Sequence, residues 1–119
     1  MKVLIIDDEP QIRDIFAQFV ELLGHEADVA VDGREGLALF DPLVHQAVIT
    51  DFIMPGLTGL QVAEEIWARG CTTPIVMISG SVAPQDERRA GLRFLHKPIS
   101  FAQFAATMAE VVEHSGAAQ

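Results

Sequence analysis

Ala47-Val48-Ile49-Thr50-Asp51-Phe52-Ile53-Met54-Pro55 is the stretch on which the reading of the fold turns. A short apolar run ends on an acid, and a loop rich in Pro and Gly follows it over residues 51–58. Three other runs behave alike. Val3-Leu4-Ile5-Ile6 runs into Asp7-Asp8, Ile75-Val76-Met77-Ile78 into Ser79, and Phe94-Leu95-His96 into Lys97-Pro98. Short apolar runs bounded by turn residues read as buried strands. If they lie parallel, their carboxyl ends share one edge of a sheet. Three carboxylates, a hydroxyl and an ammonium then meet there. Such a cluster is costly unless a cation and a phosphoryl group complete it.

Between these runs the apolar spacing is helical. Residues 2–6 read as the first strand and 9–23 as a helix, with Ile12, Ile15, Phe16, Phe19, Leu22 and Leu23 on one face. Pro10 fits the first turn of that helix and Gly24 its end. Residues 27–31 read as a weaker strand, and Asp32 as the cap of a short helix carrying Leu37 and Phe40. The next strand covers 46–50. Thr58 opens a helix with Leu60, Ala63, Ile66 and Trp67 inward, closed by Arg69-Gly70. Strands over 74–78 and 92–95 flank a short helix over 84–90. Ser100 caps a final helix over 100–114, with Phe101, Phe104, Ala105, Met108 and Val112 inward. The pattern is five βα units, an α/β fold whose parallel sheet is covered on both faces. Open sheets of this class hold their sites outside the carboxyl ends of strands, where strand order reverses.

The chain has 119 residues, half of them hydrophobic, which suits one domain over 1–119 and argues against disorder. Residues 115–119 are expected to fray. No apolar run is long enough to span a bilayer, and no secretory signal is evident. The single cysteine, Cys71, allows no intrachain disulfide, in keeping with a cytoplasmic setting. The formal net charge of −9 argues against nucleic acid as a direct partner, because that affinity comes mainly from Lys and Arg.

Asp7, Asp8 and Asp51 offer hard oxygen ligands of the kind that suit Mg²⁺. Acids after a strand can also merely favour a helix N-terminus, but Asp51, Ser79 and Lys97 at the other strand ends weigh against that bland reading. Glu9 is counted with the acids of the cation site. A carboxylate such as Asp51 can accept a phosphoryl group as an acyl phosphate, and that transfer needs charge neutralisation from a metal and a cation. Lys97 supplies the cation. The Ser79 hydroxyl and backbone N–H groups just after Asp51 and Ser79 can donate to phosphoryl oxygens, and Gly80 keeps the approach open.

These residues resemble the receiver domain of two-component response regulators. The matching motifs are Asp7-Asp8, Thr50-Asp51-Phe52-Ile53-Met54-Pro55 with Gly59, Ile78-Ser79-Gly80, and Phe94-Leu95-His96-Lys97-Pro98. The Ser-Gly pair is similar to receivers attached to hybrid histidine kinases. The resemblance implies a doubly wound five-stranded sheet in the flavodoxin-like order 2-1-3-4-5. It implies that Asp51 takes a phosphoryl group from a phosphohistidine of a sensor kinase or phosphotransfer protein, with no action on an outside substrate. Asp8 and Asp51 would bind Mg²⁺ directly, with the Ile53 carbonyl as a third ligand and Asp7 acting through a metal-bound water; Mn²⁺ could substitute. Phe52, Ile53 and Gly80 would supply the backbone contacts. Ser79 would move toward the phosphoryl group and Phe94 would change rotamer in the vacated space. The downstream partner would be a protein, and the chain either a stand-alone receiver or one cut from a longer protein.

Two departures from the family are informative. Ser79 and Lys97 stand 18 positions apart, short by roughly one helical turn of about 3.6 residues, so a shortened fourth helix is expected. Ile53 cannot orient water by hydrogen bonding, so slow self-dephosphorylation is expected. Among other functions, a Mg²⁺-dependent phosphatase with an Asp nucleophile would want an acid where Ile53 stands. A nucleotide or flavin domain would want a Gly-rich loop where Asp-Asp-Glu-Pro stands. A degenerate receiver used only for docking would not need Asp51, Ser79 and Lys97 together. The four histidines are too scattered for zinc, and Cys71 has no nearby base.

Overall fold

Val3 to Ile6, Val48, Ile49 and Ile75 to Ile78 are all buried, as strands must be when both faces of their sheet are covered. The computed structural model describes residues 1–80 and 92–117, and side chains as far as residue 113. In chain order it holds β1 (Lys2–Ile6), α1 (Pro10–Leu22), β2 (Glu26–Ala30), α2 (Gly33–Leu39), β3 (Ala47–Asp51), α3 (Gly59–Ala68), β4 (Ile75–Ser79), β5 (Leu92–His96) and α4 (Phe101–Ala117). All strand pairs are parallel, in the order β2-β1-β3-β4-β5. The helix expected over 84–90, and with it the shortened fourth helix, lies outside the described residues.

Each face of the sheet carries its own core. Val3, Ile5, Ile49 and Ile78 pack under Phe16 and Val20 of α1 and Phe104, Met108 and Val111 of α4. Phe16 and Phe104 stack with centroids 5.6 Å apart. On the other face Leu4, Ile6, Val48 and Met77 meet Phe40 and the α3 residues Val62, Ala63 and Ile66. The alternation along each strand delivers neighbouring residues to opposite cores.

Helix starts follow their caps. Asp32 accepts from the Glu35 N–H at 2.9 Å. Thr58 and Gln61 form a reciprocal capping box at the head of α3, and Ser100 with Gln103 does the same for α4. Two expectations need correction. Ile15 and Leu22 are 43 % and 73 % exposed, so they leave the buried stripe of α1, which Val20 joins. At about 3.6 residues per turn they fall roughly a quarter-turn from the line through Ile12, Phe16 and Leu23. Asp51 and Ser79 are the last residues of β3 and β4, not the first beyond them, because the ladder continues through Asp51–Ile78 and Ser79–His96. The last helix, α4, ends at Ala117.

Candidate functional site

Strand order reverses at β1, which has β2 on one side and β3 on the other. The carboxyl ends of β1 and β3 therefore open a crevice, and Asp7, Asp8 and Asp51 stand in it. One carboxylate oxygen from each lies within 4.8 Å of the other two, a group able to hold a metal ion. Asp7 and Asp51 are buried; Asp8 is exposed.

Lys97 enters from the end of β5. Its Nζ is 3.4 Å from Asp51 Oδ2 and 3.8 Å from Glu9 Oε1. Its own N–H donates to the Ser79 carbonyl at 2.8 Å, which ties the β5 end to the β4 end. The Lys97–Pro98 peptide bond is cis. Ser79 is 1 % exposed at the end of β4. Glu9, counted with the cation site in the sequence, is not one of the three clustered acids; it pairs with Lys97 instead. Its position one residue beyond the acid pair carried no sign of which neighbour it would find.

The loop after β3 is pinned at both ends. Phe52 N–H donates to the Ile78 carbonyl at 2.7 Å and Gly59 N–H to the Phe52 carbonyl at 2.8 Å. A Cβ on Gly59 would overlap the Asp51 carbonyl oxygen, so only glycine lets α3 start this close to the acid. Met54 is buried in the α2–α3 core and anchors the loop, whereas the Ile53 side chain is 66 % exposed. Beside Gly80, the described atom that a Cβ would approach is Lys97 Cδ, at an ordinary 3.9 Å. Phe94 is half-buried against the same core as Met77. His96 is exposed, with Nδ1 2.7 Å from the Lys97 carbonyl oxygen.

Electrostatics mark this edge as incomplete. Burial pushes the Asp7 carboxyl up to about 6, against the Glu9 N–H that it accepts, and the Asp51 charge pushes the same way. Burial also raises Asp51, opposed by the Lys97 ammonium. Asp7 Oδ2 is buried without a hydrogen-bond partner. A buried acceptor left unpaired costs about 1–3 kcal/mol, more when charged. An orphaned carboxylate oxygen beside two further carboxylates fits a hydrated divalent cation.

Fold and crevice define an α/β protein with an acid-lined site facing a single lysine. Residues 3–109 match the response regulator receiver domain, and the chain belongs to that family. It is 29 % identical over 113 residues to the transcriptional regulatory protein TcrA of Mycobacterium tuberculosis, an alignment covering 91 % of this chain and 44 % of that protein. The chain spans about half the length of the curated relatives it matches. Among solved structures it is similar to a response regulator receiver domain protein of Clostridium thermocellum, with a TM-score of 0.89, 24 % identity, and coverage of 99 % of this chain and 98 % of that one. It is also similar to TrrA of Thermotoga maritima, solved in complex with Mg²⁺ and BeF, with a TM-score of 0.83, 27 % identity, and coverage of 92 % and 97 %. Among the described residues no helix is long and apolar enough to cross a membrane.

Proposed function

We propose that this chain is a phospho-accepting signalling module whose acceptor is Asp51. The observation that carries the reading is a buried carboxylate, Asp51, set between two further acids and an ammonium 3.4 Å away. The donor would be a phosphohistidine of a sensor kinase or histidine phosphotransfer protein. The Asp51 carboxylate forms a P–O bond as the donor P–N bond breaks and imidazole leaves. Asp8, Asp51 and the Ile53 carbonyl would hold Mg²⁺, with Asp7 Oδ2 accepting from a water of its shell; Mn²⁺ should substitute. When bound, the ion neutralises charge gathering on the phosphoryl oxygens. Lys97 does the same from the other side. The Ser79 hydroxyl and the N–H groups of Phe52, Ile53 and Gly80 would donate to those oxygens. Ser79 and Phe94 would then shift together, exchanging one packing for another.

Protein partners suit the surface. An apolar groove lined by Ile12, Ile15, Phe16, Pro98 and Ile99 opens beside Lys97 and offers a protein donor a place to dock. The −9 charge supports protein rather than nucleic-acid contacts for these 119 residues. A cytoplasmic setting belongs to the same reading. The apolar Ile53 disfavours a phosphatase, which would want an acid there.

The test is incubation with acetyl phosphate and Mg²⁺, followed by intact-protein mass. Wild type should gain one phosphate and Asp51→Asn none. No gain in wild type, or a gain that survives Asp51→Asn, would overturn the reading.

A further inference from the structure

Asp7 spends nearly all of its polar atoms on its neighbours. Its N–H donates to the Ala30 carbonyl at 3.2 Å. Its Oδ1 accepts from the Glu9 N–H at 2.9 Å. Its carbonyl accepts from Arg13 Nη1 at 2.9 Å. Only Oδ2 is left, buried and unpartnered. The first is a backbone bond that any sequence could make, and the second uses the Asp7 side chain itself. The third is a side chain reaching back one turn from α1, and Arg13 is half-buried in doing so.

That reach is unexpected on electrostatic grounds. A guanidinium ordinarily favours a carboxylate, which it can bond bidentately. Here it bonds the Asp7 backbone, and among the described residues the ion pairs of the three grouped acids include no arginine. Coulomb's law alone makes a nearby cation a liability for a site that must hold Mg²⁺. What the bond offers in return is orientation: it holds the loop that carries Asp7 and Asp8 against the head of α1.

We propose that Arg13 is a positioning residue for the cation site, holding the β1–α1 loop so that the Asp7 and Asp8 carboxylates stay aimed at the ion. The inference rests on the reading of Asp7, Asp8 and Asp51 as the Mg²⁺ site. Groups that orient metal ligands from behind typically contribute about 10- to 100-fold in affinity. Positioning and simple charge effects therefore predict opposite signs. Removing the Arg13 charge should tighten Mg²⁺ if only Coulomb repulsion matters, and loosen it if orientation matters.

The experiment is a Mg²⁺ titration of the full chain, followed by amide chemical shifts of residues 7–8 and 51–54, with no phosphodonor present. Wild type, Arg13→Met, Arg13→Lys and Asp51→Asn are compared, and the thermal midpoint of each is read in EDTA. Arg13→Met should weaken Mg²⁺ by about tenfold. Arg13→Lys, which keeps the charge and can still donate, should recover part of that loss. Affinity in Arg13→Met equal to or tighter than wild type overturns the proposal. So does a loss matched by an equal loss in Arg13→Lys at unchanged thermal midpoint. If Arg13→Met does not fold, the lysine variant decides: a loss of under about tenfold supports positioning, and unchanged or tighter binding overturns it. Should wild type bind no Mg²⁺, or Asp51→Asn bind it equally well, the site reading itself fails and the proposal falls with it.

Discussion

Two polar clusters, each built around buried groups, lie toward opposite ends of this sheet, and they are solved in opposite ways. Toward the amino-terminal end, His45 is 3 % exposed and every ring nitrogen is used. Asp41 N–H donates to its Nδ1 at 3.0 Å, so the proton sits on Nε2, which donates to Asp28 Oδ2 at 2.8 Å. Phe40 stacks on the ring, and Lys2 stands 3.6 Å from Asp28. The His45 bond, first of all, holds the Asp28 carboxyl below its usual range. At the carboxyl end, burial raises Asp7 and Asp51, and an oxygen goes without a partner. A closed cluster stabilises the fold; an open one costs stability and leaves ligand-binding capacity.

The largest effect should come from breaking the closed cluster. His45→Ala leaves the Asp41 N–H and the Asp28 carboxylate without their partner beside a cavity. It should destabilise the chain by about 3 kcal/mol in denaturant unfolding. A change under about 1 kcal/mol would erase the contrast between the two ends.

At the open cluster the sign reverses. Asp7 has a folded pKa of about 6, above the ordinary carboxylate value of 3.8. The protonated group is therefore favoured by folding. That contribution is whole below the ordinary value and is lost as pH rises through about 6. In EDTA at pH 7, Asp7→Asn should stabilise by about 2 kcal/mol, with the gain vanishing toward pH 4. Parallel stability–pH curves for the two proteins would show that the orphaned oxygen carries no cost.

The smallest effect on stability should come from Ile53→Asn, because that side chain is mostly in solvent. Its effect should appear in chemistry alone. An amide two residues past Asp51 can orient water, and phosphate loss from the phosphorylated protein should quicken several-fold, up to about tenfold. An unchanged lifetime would mean that water positioning at this residue does not set the rate.

Asp7, Asp8, Asp51, Ser79 and Lys97 were legible as one edge because each ends an apolar run, and parallel strands carry their ends to one side. The α1 stripe was legible only in part: Ile15 is as apolar as Phe16, yet it faces outward. Met54, which read as part of the loop after Asp51, proved to be a core residue that anchors it. His45 read as one of four scattered histidines, and Asp28 and Asp41 became its partners only through the α2–β3 connection and the β2 edge.

The sequence by itself determined the alternation of strands and helices, their caps, and the chemistry on the strand ends, because these depend on near neighbours and on periodicity. Tertiary structure alone decided which charges met. Lys97 reaches both Asp51 and Glu9, and Arg13 turns to the Asp7 carbonyl. The reason is physical. Charge pairing depends on separations of a few ångströms between residues far apart in the chain, and only the packed sheet sets those separations.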